Sequence, residues 1–97
     1  MRIPDKIEFM NQIWQIESVR SQSLDGDLGL CDPRTNIIKL DQDLNEDVLL
    51  QTLTHEWIHL IEITLHQCLT EQQVDVLATG FIHIMKNNPE LNDLYRG

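Results

Sequence analysis

Ninety-seven residues, 41% of them hydrophobic, suit one globular domain with a modest core and argue against a disordered chain. Sixteen acids against seven lysines and arginines give a formal charge of −9, which repels phosphate backbones and excludes nucleic acid as a direct partner. No apolar run approaches the roughly 18 residues of a membrane span, so no membrane role is expected. Pro4 and Asp5 interrupt what a secretory leader would need, so Cys31 and Cys68 are expected as reduced thiols in a cytoplasmic protein.

Residues 6–19 carry Ile7, Phe9, Ile13, Trp14, Ile16 and Val19 in imperfect alternation, which predicts one or two strands with a turn near Asn11. Asp25-Gly26-Asp27 marks an exposed loop. Leu28–Cys31 and Asn36–Leu40 follow as a hairpin across Asp32-Pro33-Arg34-Thr35, with proline presetting the turn. Asn45 is a good N-cap, and Glu46 and Asp47 complement the dipole of a helix expected over 46–66. Leu50, Leu53, Trp57, Leu60 and Ile61 gather on one side of that helix as its core face. Thr52, His55, His59, Glu62 and His66 form a polar stripe on the other. Thr70 and Gln73 read as a capping box opening a second helix over 71–86, stopped by Asn87-Asn88-Pro89; Glu90 to Tyr95 adds a last helical turn. The fold class expected is α+β, a small antiparallel or mixed sheet followed by two antiparallel helices.

Within the polar stripe lies His55-Glu56-Trp57-Ile58-His59, an HExxH sequence. Two imidazoles four residues apart lie about 40° apart around a helix, so both can address one ion. Zinc accepts neutral imidazole, and Glu56 stands where a general base for water would be needed. A random chain of this composition contains the motif about once in a hundred, so context matters.

A catalytic zinc site takes three protein ligands. Glu62 and His66 lie about 10 and 16 Å beyond His55 along the axis, too far to share its ion. The second helix offers Asp75 and Glu71. Asp75 is the preferred ligand, because antiparallel packing sets it about 6 Å further back toward His59. The alternative puts Glu71 on the metal and leaves Asp75 to orient a ligand histidine. Cys68 is a weaker candidate, His83 is expected at the surface, and Trp14 and Trp57 in the core.

From Asn45 to Leu91, the segments Leu53-Thr54-His55-Glu56-Trp57-Ile58-His59, Leu69–Phe81 and Asn88-Pro89-Glu90-Leu91 resemble small phage and prophage zinc-metallopeptidase-like proteins. These are similar to the ImmA/IrrE-like group of the zincin class. The resemblance implies a minimal zincin-like fold, zinc held by His55, His59 and Asp75, and water activation by Glu56. In that group the later acid is usually glutamate, three residues before a small residue and six before an aromatic; Asp75, Ala78 and Phe81 keep the spacing with an aspartate.

Two functions are expected from these residues. One is a zinc-dependent metallopeptidase acting on a peptide or protein, the peptide adding to an exposed strand at Asn36–Leu40, with His66 and Tyr95 as candidates to steady the oxyanion. The other is a catalytically inactive zinc-binding interaction or regulatory protein of phage origin, its small core held by the metal. A chance motif on a metal-free helical hairpin is the third, bland reading. So short a chain offers little wall for a groove, and a homodimer or partner surface would supply more.

Overall fold

The computed structural model describes residues 2–97. Its first hairpin pairs β1 (Lys6–Phe9) with β2 (Gln12–Val19) across Met10 and Asn11, both with positive φ, the two-residue turn whose twist matches that of the strands. After a 3-10 turn at Ser21–Leu24 and the Asp25-Gly26 bend come β3 (Gly29–Asp32) and β4 (Ile37–Asp41), an antiparallel hairpin. Asp32 Oδ1 accepts the Arg34 N–H at 2.9 Å within the turn, and Asn36 takes the left-handed conformation that closes it.

The sheet order is β1-β2-β4-β3, with β2 and β4 parallel and the other pairs antiparallel. β4 is therefore internal, and Ile38 and Leu40 on it are fully buried. This corrects the expectation that Asn36–Leu40 is an open edge. The open edge beside the helices is β3. Because Leu28 and Asp41 form a hydrogen-bonded pair, alternation turns the backbone N–H and C=O groups of Gly29 and Cys31 outward.

Helix α1 (Glu46–Thr64) starts at Asn45, whose side chain accepts the Val48 N–H at 3.0 Å. It ends two residues earlier than its polar pattern suggests. His66 enters the left-handed region at φ 55°, and its N–H and that of Gln67 cap the carbonyls of Ile63 and Glu62. Helix α2 (Glu71–Asn87) opens on the expected capping box: Thr70 Oγ1 accepts the Gln73 N–H at 3.1 Å and Gln73 Oε1 accepts the Thr70 N–H at 2.9 Å. Helix α3 (Pro89–Arg96) follows at once, with Pro89 in its first turn.

Contacts from Gln51 to Thr79, His55 to Asp75 and His59 to Glu71 run in opposite senses along α1 and α2, which are thus antiparallel. On its sheet side α1 sets Leu53 and Leu60 against Trp14, Ile38 and Leu40; on its α2 side Ile58 meets Val74 and Ala78. Trp57 touches both clusters and packs edge-on to Phe81, with ring centroids 5.0 Å apart. The architecture is α+β, a four-stranded mixed sheet with three helices. Among the described residues no helix is long and apolar enough to cross a membrane.

Candidate metal centre

One helical turn on α1 brings His55 and His59 together, their Nε2 atoms 3.1 Å apart. Glu71, the first residue of α2, reaches across to both: Oε2 lies 2.9 Å from His55 Nε2 and Oε1 lies 3.1 Å from His59 Nε2. The capping box fixes where α2 begins, and so fixes Glu71 opposite the pair. His55, His59 and Glu71 form a group that can hold a metal ion.

The far nitrogen of each ring is held by another carboxylate. His55 Nδ1 lies 2.7 Å from Asp75 Oδ1, and His59 Nδ1 lies 2.7 Å from Glu62 Oε1. A carboxylate only accepts, so each Nδ1 is the donor, and in the neutral ring each Nε2 keeps its lone pair. Three acceptors then converge on one point with no donor between them. That arrangement is repulsive in the absence of a cation or extra protons, and it is the donor set a divalent cation satisfies. Donors held about 2.0–2.1 Å from a common tetrahedral ion stand about 3.3 Å from each other, close to the spacing here.

The preferred sequence assignment of Asp75 as third ligand differs from this geometry, which matches the alternative. Asp75 and Glu71 sit one turn apart on the same face of α2. The shorter aspartate ends at the outer edge of the His55 ring, while the extra methylene of Glu71 carries its carboxylate to both inner nitrogens. Glu62 is not part of the His55, His59 and Glu71 group; it grips His59 from behind, at Nδ1. It also accepts the Leu69 N–H, tying the end of α1 to the loop that leads into α2. That bond and the one from His59 hold the Glu62 carboxyl below its ordinary range. Its spacing of three residues from His59 on the stripe was the available signal for this role.

Glu56 lines the same cleft as the ring pair and is 7% exposed. Burial pushes its carboxyl above the ordinary range, against the lowering pull of His55 and His59. No hydrogen-bond donor among the described residues meets its carboxylate. Strand β3 passes directly over it: a Cβ built on Gly29 would stand 2.8 Å from Thr52 Cγ2 and 3.2 Å from Glu56 Cγ. Only glycine lets the strand edge come so near, a role that nothing local in the sequence announces.

The cleft between β3, α1 and the start of α2 has a volume of about 640 Å³. Neither His66 nor Tyr95 lines it; His66 caps α1, and Tyr95 is 79% exposed on α3, so neither is placed to steady an oxyanion. Cys68 is exposed outside the cleft, whereas Cys31 lines it, its thiol pushed up to about 12 by burial and by Glu56. His83 is at the surface, against Asn87. A scan against protein-family models, a search of curated proteins and a search of solved structures each returned no match.

Proposed function

We propose that the protein is a zinc-dependent peptidase of minimal zincin-like fold, similar in its helical half to the ImmA/IrrE-like group. His55, His59 and Glu71 would hold the zinc, with Asp75 and Glu62 fixing the two rings. A bound zinc ion supplies Lewis-acid polarisation of a carbonyl and lowers the pKa of water at its open position. Everything else falls to the chain. Glu56, raised in proton affinity by its buried setting, takes a proton from water as the oxygen adds to the scissile carbonyl carbon. As the C–N bond breaks, the same carboxyl returns that proton to the departing nitrogen, leaving a carboxylic acid and an amine, and the acid's proton then passes to the amine to give a carboxylate and an ammonium. The outward N–H and C=O groups of Gly29 and Cys31 offer an extended peptide a strand to pair with, at the distance Gly29 sets from Glu56.

The observation that carries this reading is Glu56: a buried carboxyl without a donor, next to a convergent set of metal donors and open to the same cleft. A carboxyl serving only structure would be paired. The second reading, a zinc clamp without turnover, draws on the small apolar contact between the helices, where only Ile58, Val74 and Ala78 are fully packed. Glu56→Gln separates the two. Zinc content measured on the purified protein should stay near one ion per chain in Glu56→Gln and fall away in His55→Ala. Cleavage of unfolded protein substrates by the wild type should drop by about a thousandfold or more in Glu56→Gln; cleavage that survives the change removes Glu56 as the base.

A further inference from the structure

Four carboxylates line the cleft, Asp27, Glu56, Glu71 and Asp75, and no lysine or arginine does. Ionised together, they outweigh one divalent cation by two charges. Three of them have work inside the centre: Glu71 faces the ring pair, Asp75 holds His55, and Glu56 is the buried base. Asp27 has no such task. It is exposed at the end of the Asp25-Gly26 bend, and its carboxylate meets no hydrogen-bond or ion-pair partner among the described residues. Yet it lines the same cleft as Glu56. It lies two positions before Gly29, about 7 Å of extended chain, so it stands at the lip of the cleft where an edge-paired peptide would pass.

A strand laid along β3 alternates its side chains, and one next to the reacting bond would be carried past this lip. A cationic side chain there meets one free carboxylate and a surplus of negative charge behind it. An acidic one meets repulsion with nothing to offset it. We propose that the cleft selects peptides bearing lysine or arginine next to the bond to be cut, and that Asp27 is the residue that pairs with that side chain. This rests on the peptidase reading for the cut itself, while the selection is a property of the cleft.

The test therefore reads binding and turnover apart. Zinc-loaded Glu56→Gln protein is titrated with two fluorescent alanine-based peptides that differ only in one central residue, lysine or glutamate. The lysine peptide should bind about tenfold more tightly at low salt, with the ratio shrinking as salt rises. Adding Asp27→Asn should cut the ratio to about threefold, and Asp27→Lys should bring it below one. Asp25→Asn removes the same charge from the same bend outside the cleft and should keep the tenfold ratio. Equal affinities, no binding of either peptide, or an equal fall in Asp25→Asn overturns the proposal. Wild-type turnover is followed on the same peptides: no cleavage with the binding ratio intact sinks the peptidase and leaves the selective cleft, and cleavage without preference does the reverse.

Discussion

Toward the sheet, α1 presents Leu53 and Leu60, 8% and 1% exposed, to Trp14, Ile38 and Leu40. Toward α2 the same helix presents His55 and His59 to Glu71 and Asp75, with Glu62 behind His59. The first side is held by removal of apolar surface from water, about 25 cal/mol per Å², a term indifferent to pH and ions. The second adds to the small apolar contact of Ile58 with Val74 and Ala78 a set of groups that bond well only in particular protonation states, around a point where acceptors face each other. Stability and chemistry are thus divided between opposite sides of one helix. The sheet side can hold the fold whatever the α2 side is doing, which lets the latter keep an unpaired buried glutamate.

Truncating the sheet side should have the largest effect. Leu60→Ala removes a side chain that is 1% exposed from the contact with Trp14, Ile38 and Leu40. It should cost about 2–5 kcal/mol of unfolding free energy, by urea denaturation followed through tryptophan fluorescence. The loss should be the same with zinc or with a chelator. A loss that appears only in the metal-free protein would mean that the two sides are one cooperative unit, and that the division drawn above is wrong.

Features set by neighbours in the chain were legible in the sequence. The Met10-Asn11 turn, the Asn45 cap and the Thr70/Gln73 box each depend on a few adjacent residues, and each lies where its residues put it. The core face of α1 followed from its period, with Leu53 and Leu60 inside. What depended on how separate elements meet was not legible. Whether β3 or β4 is the edge turns on the parallel pairing of β2 with β4, a contact between strands separated by β3 and a 3-10 turn. Whether Glu71 or Asp75 faces the two Nε2 nitrogens turns on the offset between two helices and one methylene of reach, which no periodicity encodes. His66 looked like part of the polar stripe because helical phase was extended past the point where the chain leaves the helix.

On the α2 side the expected sign reverses. Burial raises the Glu56 carboxyl, so the folded state disfavours its charged form. For an acid with a raised folded pKa, the folded state binds more protons than the unfolded one between the two pKa values. The cost is therefore present above the folded pKa and disappears as pH falls below the unfolded one, in the ordinary carboxylate range. In chelator-treated protein, Glu56→Gln should accordingly be more stable than wild type at pH 7 by about 0.5–2 kcal/mol. That gain should fade toward pH 4. A destabilised Glu56→Gln at neutral pH would show that the glutamate is bonded in the fold, and the functional reading would lose its main support.

The smallest effect belongs where the two sides meet, at the end of α1. His66 sits at φ 55° with its N–H and that of Gln67 closing the helix, a position that glycine occupies without strain. An L-residue there costs about 1–2 kcal/mol, and glycine returns about 0.4–1 of that through the greater freedom of the unfolded chain. His66→Gly should therefore stabilise the protein by about 0.5–1 kcal/mol in urea denaturation. The backbone it would relax leads straight to Leu69, whose N–H holds Glu62 behind His59. If the cap only terminates the helix, the gain should be equal with and without zinc, since His66 touches neither the ring pair nor the cleft. A gain confined to the zinc-loaded protein would instead make this bend part of what sets the distance between Glu71 and the histidines.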